Sequence, residues 1–152
     1  MAYLAISGPA DATPDECDAA RRAGRWAAEH GHVVICGGLG GVMAAAARGA
    51  HDGGGVSVGL LPGSDRAEAA PDLTVALTTG FGEMRNALLA RAADAVLCVG
   101  GSWGTLSELA LAVRTGVPVV ALTSWPVPSA DGLQVVGSIE EGIEALAALL
   151  PC

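Results

Sequence analysis

Arg85 and Glu108 are the residues of this chain best placed to do chemistry. Arg85 follows a turn of small residues, Thr78-Thr79-Gly80-Phe81-Gly82, and opens a helical pattern from Glu83 to about Ala93 with Met84 and Asn86 beside it. The positive end of a helix dipole repels cations, so an Arg in a first turn stands against its local preference and points to a ligand, with a solvated surface Arg as the alternative reading. Glu108 closes the stretch VGGSWGTLSE, Val99 to Glu108, which leaves the apolar run Ala95 to Val99, passes Gly100, Gly101 and Gly104, and opens an apolar helical segment, Leu106 to Val113. A strand, a glycine turn and a helix start make an anion site, because first-turn amides lack intrahelical partners and glycine lets a phosphate approach them. A carboxylate and an Arg, with no metal, Cys nucleophile or His base beside them, suit cleavage of an N-glycosidic bond, whose oxocarbenium-like state needs nearby negative charge. The same spacing has a second reading. Thr105 and Glu108 stand three apart at a helix start, as in a capping box, and both readings remain open on the residues alone.

The elements that must position these groups alternate regularly. Tyr3 to Ser7 reads as a strand cut off by Gly8-Pro9. A helix follows from its N-cap Thr13, with Pro14 at the first position and Glu16 completing a capping box, to a stop at Gly31. Val33 to Cys36 is a short strand leading into Gly37-Gly38-Leu39-Gly40-Gly41 and a helix from Val42 to about Ala50. Strands over Val56 to Leu61, Leu73 to Leu77, Ala95 to Val99 and Val117 to Leu122 come next, then an irregular loop from Thr123 to Gly132. A short strand, Leu133 to Val136, and a helix, Ile139 to Leu150, capped by Ser138 with Glu141, end the chain. This rhythm predicts one doubly wound, Rossmann-like α/β domain over residues 1–152, a mostly parallel sheet with helices on both faces. Ligands of such folds bind outside the carboxyl ends of the strands. Ser7 and Gly8, Gly38, Gly40 and Gly41, Thr79 and Gly80, Met84 to Asn86, and Gly100, Gly101, Ser102, Gly104 and Thr105 all follow strand ends, so they are the expected phosphate- and nucleotide-binding residues. The glycines near Gly38 do not fit a dinucleotide fingerprint, since Met43 stands where glycine or alanine is required and the next strand ends in Leu-Pro rather than an acid. Close packing of helix on sheet is the alternative reading of those glycines.

Composition removes other chemistries. A chain of 152 residues with 51% hydrophobic content and a net charge of −8 holds a core but lacks the basic face a nucleic-acid partner needs. All 8 basic residues are Arg. Without Lys there is neither a Walker-type phosphate loop nor a pyridoxal-phosphate Schiff base. Cys17, Cys36, Cys98 and Cys152 form no CxxC pair and have no His at ligand spacing, so reduced thiols and no metal site are expected. No leader-like start and no membrane-length apolar run are present, which predicts a cytoplasmic protein without a membrane partner.

The motifs GEMRN (Gly82 to Asn86), GGSWGTLSE (Gly100 to Glu108) and CGGLGGVM (Cys36 to Met43) together resemble the LOG-like, SLOG superfamily of Rossmann proteins, once mislabelled lysine decarboxylases, and the resemblance covers nearly the whole chain. The LOG enzymes are phosphoribohydrolases that split a nucleoside 5′-monophosphate into base and ribose 5-phosphate. Their PGGxGTxxE signature falls on Gly100, Gly101, Gly104, Thr105 and Glu108, and their catalytic pair on Arg85 and Glu108. Val99 stands where that signature has Pro, and Asn86 where a Lys commonly follows the Arg. The RN and GTLSE forms look closer to a sister branch that includes molybdenum-cofactor carrier proteins, whose ligand also carries a phosphate. The resemblance thus implies either hydrolysis of a nucleoside monophosphate or carriage of that cofactor or a nucleotide, with no other cofactor required, in a homodimer or homotetramer.

Overall fold

The computed structural model describes residues 1–122 and 125–151, so the start of the expected loop, at Thr123 and Ser124, and the Cys152 thiol lie outside the described residues. Seven strands form one sheet: β1 (Tyr3–Ser7), β2 (Val33–Cys36), β3 (Ser57–Leu61), β4 (Val75–Thr78), β5 (Ala95–Val99), β6 (Val119–Leu122) and β7 (Leu133–Val135). Their order is β4-β3-β2-β1-β5-β6-β7, and every pairing is parallel. Strand order therefore reverses between β1 and β5, where Ser7 lies opposite Cys98 and the two chains diverge into the Gly8 and Gly100 turns. That divergence opens a crevice at the carboxyl edge of the sheet.

Side chains alternate across each strand and so build two cores. Leu4 and Ile6 of β1 and Leu97 and Val99 of β5 pack against α1 (Pro14–Glu29), α2 (Val42–Asp52) and α5 (Ile139–Leu149). Ala5, Val96 and Cys98 point the other way, into a smaller core closed by Ala90 of α3 (Arg85–Ala92) and by Leu109 and Ala112 of α4 (Trp103–Thr115). Small residues at that face bring α3 and α4 close to the sheet. Burial pushes the Cys36 thiol up to about 11 and the Cys98 thiol higher still, so both behave as inert apolar side chains.

Local chemistry sets the helix ends. Thr13 accepts from the Glu16 amide and Glu16 returns a carboxylate to the Thr13 amide, both at 3.2 Å, which starts α1 as the sequence predicts. Ser138 caps the Glu141 amide at 3.2 Å, but the Glu141 carboxylate takes the Gly137 amide rather than that of Ser138. Pro118 sits just before β6, where its missing N–H costs nothing, and its carbonyl accepts from Val96. A single 3₁₀ turn, Gly82–Met84, precedes α3, so Arg85 is the first residue of the α-helix proper. Among the described residues no helix is long and apolar enough to cross a membrane.

Candidate functional site

The start of α4 differs from the sequence expectation, and the difference decides what Glu108 is. Ser102, not Thr105, is the N-cap: its hydroxyl accepts from the Thr105 amide at 3.1 Å and pairs with the Thr105 hydroxyl at 2.9 Å. The helix begins at Trp103, one turn earlier than Leu106. Glu108 thereby falls in the second turn, too far along to cap anything, and the capping-box reading of Thr105 and Glu108 is overturned. Its carboxylate lines the crevice instead, mostly buried. Burial pushes its pKa up to about 7, while the Ser7 hydroxyl and the Arg85 charge hold it back part of the way. Ser7 is itself buried, and its hydroxyl lies near enough to favour the ionised Glu108 without reaching hydrogen-bond geometry.

Arg85 is only 8% exposed. Its Nε donates to the Leu60 carbonyl of β3 at 2.9 Å, one Nη to Asn86 Oδ1 and the other to the Gly37 carbonyl at the end of β2. Asn86 in turn donates to Ser107 at 3.0 Å, and Ser107 to the Gly104 carbonyl at 2.7 Å. One polar chain thus runs from the strand ends through the guanidinium to the first turn of α4. No carboxylate forms an ion pair with Arg85 among the described residues. A buried cation hydrogen-bonded only to carbonyl and amide oxygens, with the Glu108 charge acting on it only at a distance, is costly, and an incoming anion offsets that cost.

Between them these groups wall a cleft of about 690 Å³, within the range of small-molecule sites. Of the expected binding residues it gathers Gly8, Met84, Arg85, Asn86, Ser102, Gly104, Thr105 and Glu108. Pro9, Leu39, Met43, Trp103 and Ser107 join them without having been named as binding residues from the sequence; of these, Trp103 and Ser107 lie inside GGSWGTLSE and Leu39 and Met43 inside CGGLGGVM, so these four were legible. Asn86 faces the cleft with both ends of its amide already engaged. Gly38 (φ +76°), in the turn after β2, lies against Gly59 and Leu61 of β3, and Gly41 (φ +59°), the N-cap of α2, against the Pro9 and Ala10 carbonyls of the loop after β1, so neither leaves room for a side chain, whereas Gly40 is more open. Thr79 and Gly80 brace the end of β4 to β3 through the Leu61 and Gly63 carbonyls, away from the cleft lining.

Gly100 and Gly101 turn their free sides to a second hollow behind the turn. A Cβ on Gly100 (φ +72°) would lie 1.7 Å from a Glu16 carboxylate oxygen, and one on Gly101 would strike the Trp125 indole. Gly100→Ala is therefore expected to cost about 2–3 kcal/mol, part from the left-handed backbone and part from displacing Glu16 from its cap. In a Glu16→Ala background the same change should cost about 1–2 kcal/mol, the backbone part alone. Thermal melts of the four proteins check this; equal costs in both backgrounds would remove the clash from the account.

Trp103 is 79% exposed at the mouth of the cleft and meets Trp125 edge to face, with centroids 5.2 Å apart and planes at 77°. An indole left in water forgoes about 3 kcal/mol of burial. No cluster of three or more His, Cys, Asp or Glu side chains suited to a metal ion occurs among the described residues.

A model of the SLOG cluster4 family matches residues 1–144. An uncharacterized protein of Archaeoglobus fulgidus is 37% identical over 144 residues, covering 94% of this chain and 93% of that one. Among solved structures, the molybdenum cofactor binding protein of Rippkaea orientalis superposes with a TM-score of 0.89 at 28% identity, covering 97% of this chain and 96% of the other. The molybdenum cofactor carrier protein of Chlamydomonas reinhardtii gives 0.88 at 29% identity, covering 99% of both.

Proposed function

This chain belongs to the SLOG cluster4 family, and from that premise we propose that it carries a phosphate-bearing ring compound of the molybdenum-cofactor kind. The observation that carries the reading is Arg85, a buried cation in no direct ion pair among the described residues, facing the amide-rich first turn of α4 across one cleft. The phosphate sits between that turn and the guanidinium, where dipole and charge both favour an anion. The likeness in sequence and fold to two proteins described as binding or carrying the molybdenum cofactor supports the choice of cargo. The cofactor is substrate here, and the chain contributes a phosphate clamp, an apolar mouth and the Glu108 carboxyl. The exposed Phe81 and Leu88 suit contact between copies in a homodimer or homotetramer.

A second reading, hydrolysis of a nucleoside 5′-monophosphate, is favoured by Glu108, whose pKa of about 7 leaves it able to hold or release a proton near neutrality. One experiment separates the two. Purified protein is incubated with the cofactor released from a molybdoenzyme, with AMP and with GMP, and followed by thermal shift and by chromatography of released base. Carriage predicts that saturating cofactor raises the melting temperature by about 5–10 °C, with base release no higher than in Glu108→Ala. Base release above that control overturns carriage in favour of hydrolysis, and no stabilisation by any of the three overturns ligand binding.

A further inference from the structure

We propose that Trp103 is the ring platform of this site, a specificity residue that stacks on a fused nitrogen heterocycle whose phosphate occupies the α4 turn. The inference rests on the phosphate-clamp reading above and adds what the clamp alone lacks, a reason to choose among phosphorylated compounds. Trp103 belongs to neither core. It is the first residue of α4, so its indole stands one peptide from the amides that receive the phosphate. Its position is not idle: the edge-to-face contact with Trp125 holds the ring at 77°, and Trp125 is seated where a Cβ on Gly101 would be. The indole is thus held in a T-shaped pair while 79% of the side chain stays open. From the 3₁₀ turn before α3, Met84, 76% exposed, lines the same cleft and offers a polarizable thioether. Two large apolar side chains left in water on the lining of one cleft that also holds Arg85 and Glu108 suit a flat, polarizable ring with an anionic tail, gripped ring at the mouth and phosphate at the base. Pterins and purines share that chemistry.

The test compares wild type, Trp103→Ala and Trp103→Phe by calorimetric titration with three probes: the molybdenum cofactor released from a donor enzyme, GMP, and ribose 5-phosphate, which has the phosphate and no ring. Stacking predicts that Trp103→Ala weakens the ring-bearing probe that wild type binds by about tenfold or more, that Trp103→Phe recovers most of the loss, and that ribose 5-phosphate binds all three proteins alike. Preference for the cofactor over GMP identifies a pterin, the reverse a purine. Ring-bearing probe bound equally by wild type and Trp103→Ala overturns the platform and leaves the clamp intact. Wild type binding none of the probes overturns the clamp and the platform with it. If Trp103→Ala weakens all probes alike and changes the mass measured by light scattering, the exposed indole serves a contact between copies, and the platform is likewise overturned.

Discussion

Arg85→Ala is expected to weaken binding of the proposed phosphorylated cargo by at least about thirtyfold, the 2–5 kcal/mol lost when one partner of a buried charged hydrogen-bond pair is removed. The size follows from where the guanidinium sits. At 8% exposure it is shielded from bulk water and salt, so its attraction for a phosphate is screened far less than that of a surface Arg. Arg85→Lys should recover little. An ammonium keeps the charge but not the planar fork that reaches the Leu60 and Gly37 carbonyls on two different strands while facing the cleft. Calorimetric titration of the three proteins at two salt concentrations tests both statements. Arg85→Ala binding within threefold of wild type would remove Arg85 from the site, and full rescue by Lys would remove the fork from the argument.

Glu108→Gln is expected to stabilise the protein while damaging whatever the site does. The carboxyl has a pKa of about 7 in the folded chain against 4.5 for the ordinary side chain, so the folded state holds its proton more tightly than the unfolded state. Stability from this group is fully present below about pH 4.5, is lost progressively as pH rises, and is gone above about pH 7. The total is on the order of 3 kcal/mol. A glutamine does not titrate, so the stability gap between variant and wild type should open between pH 4.5 and 7 in favour of the variant and stay level above. Chemical denaturation of both proteins across that range measures the gap; a constant difference would show that burial does not raise this carboxyl. The stability forgone at neutral pH is what placing this carboxyl in a cleft rather than at the surface costs.

Legibility in the sequence followed the range of the interactions. The cap of α1 was readable because Thr13, Pro14 and Glu16 bond within one turn of each other, and the parallel α/β fold because strand and helix periods alternate plainly. The motifs around Arg85 and Glu108 resemble the SLOG superfamily, and the family match bears this out. The same local rules misplaced the start of α4. Ser102 and Thr105 are both competent caps, and the choice between them depends on how the chain leaves β5. What holds Arg85 was out of reach, since its carbonyl partners lie 25 and 48 residues away on strands whose ends meet it only after the sheet forms. The Trp103 and Trp125 pair joins an exposed helix start to a loop that the sequence marks only as irregular.

The polar chain from the strand ends through Arg85, Asn86 and Ser107 to Gly104 bears on how cargo would leave. Its anchors are the ends of β2 and β3 and the first turn of α4, so the binding geometry exists before anything enters. Loading then freezes little chain motion, and the penalty that flexible sites incur on binding is small. Under the carriage proposed above, handover would proceed at the rate at which the bonds to phosphate break, and a recipient would speed it by competing for the cargo rather than by reshaping the protein.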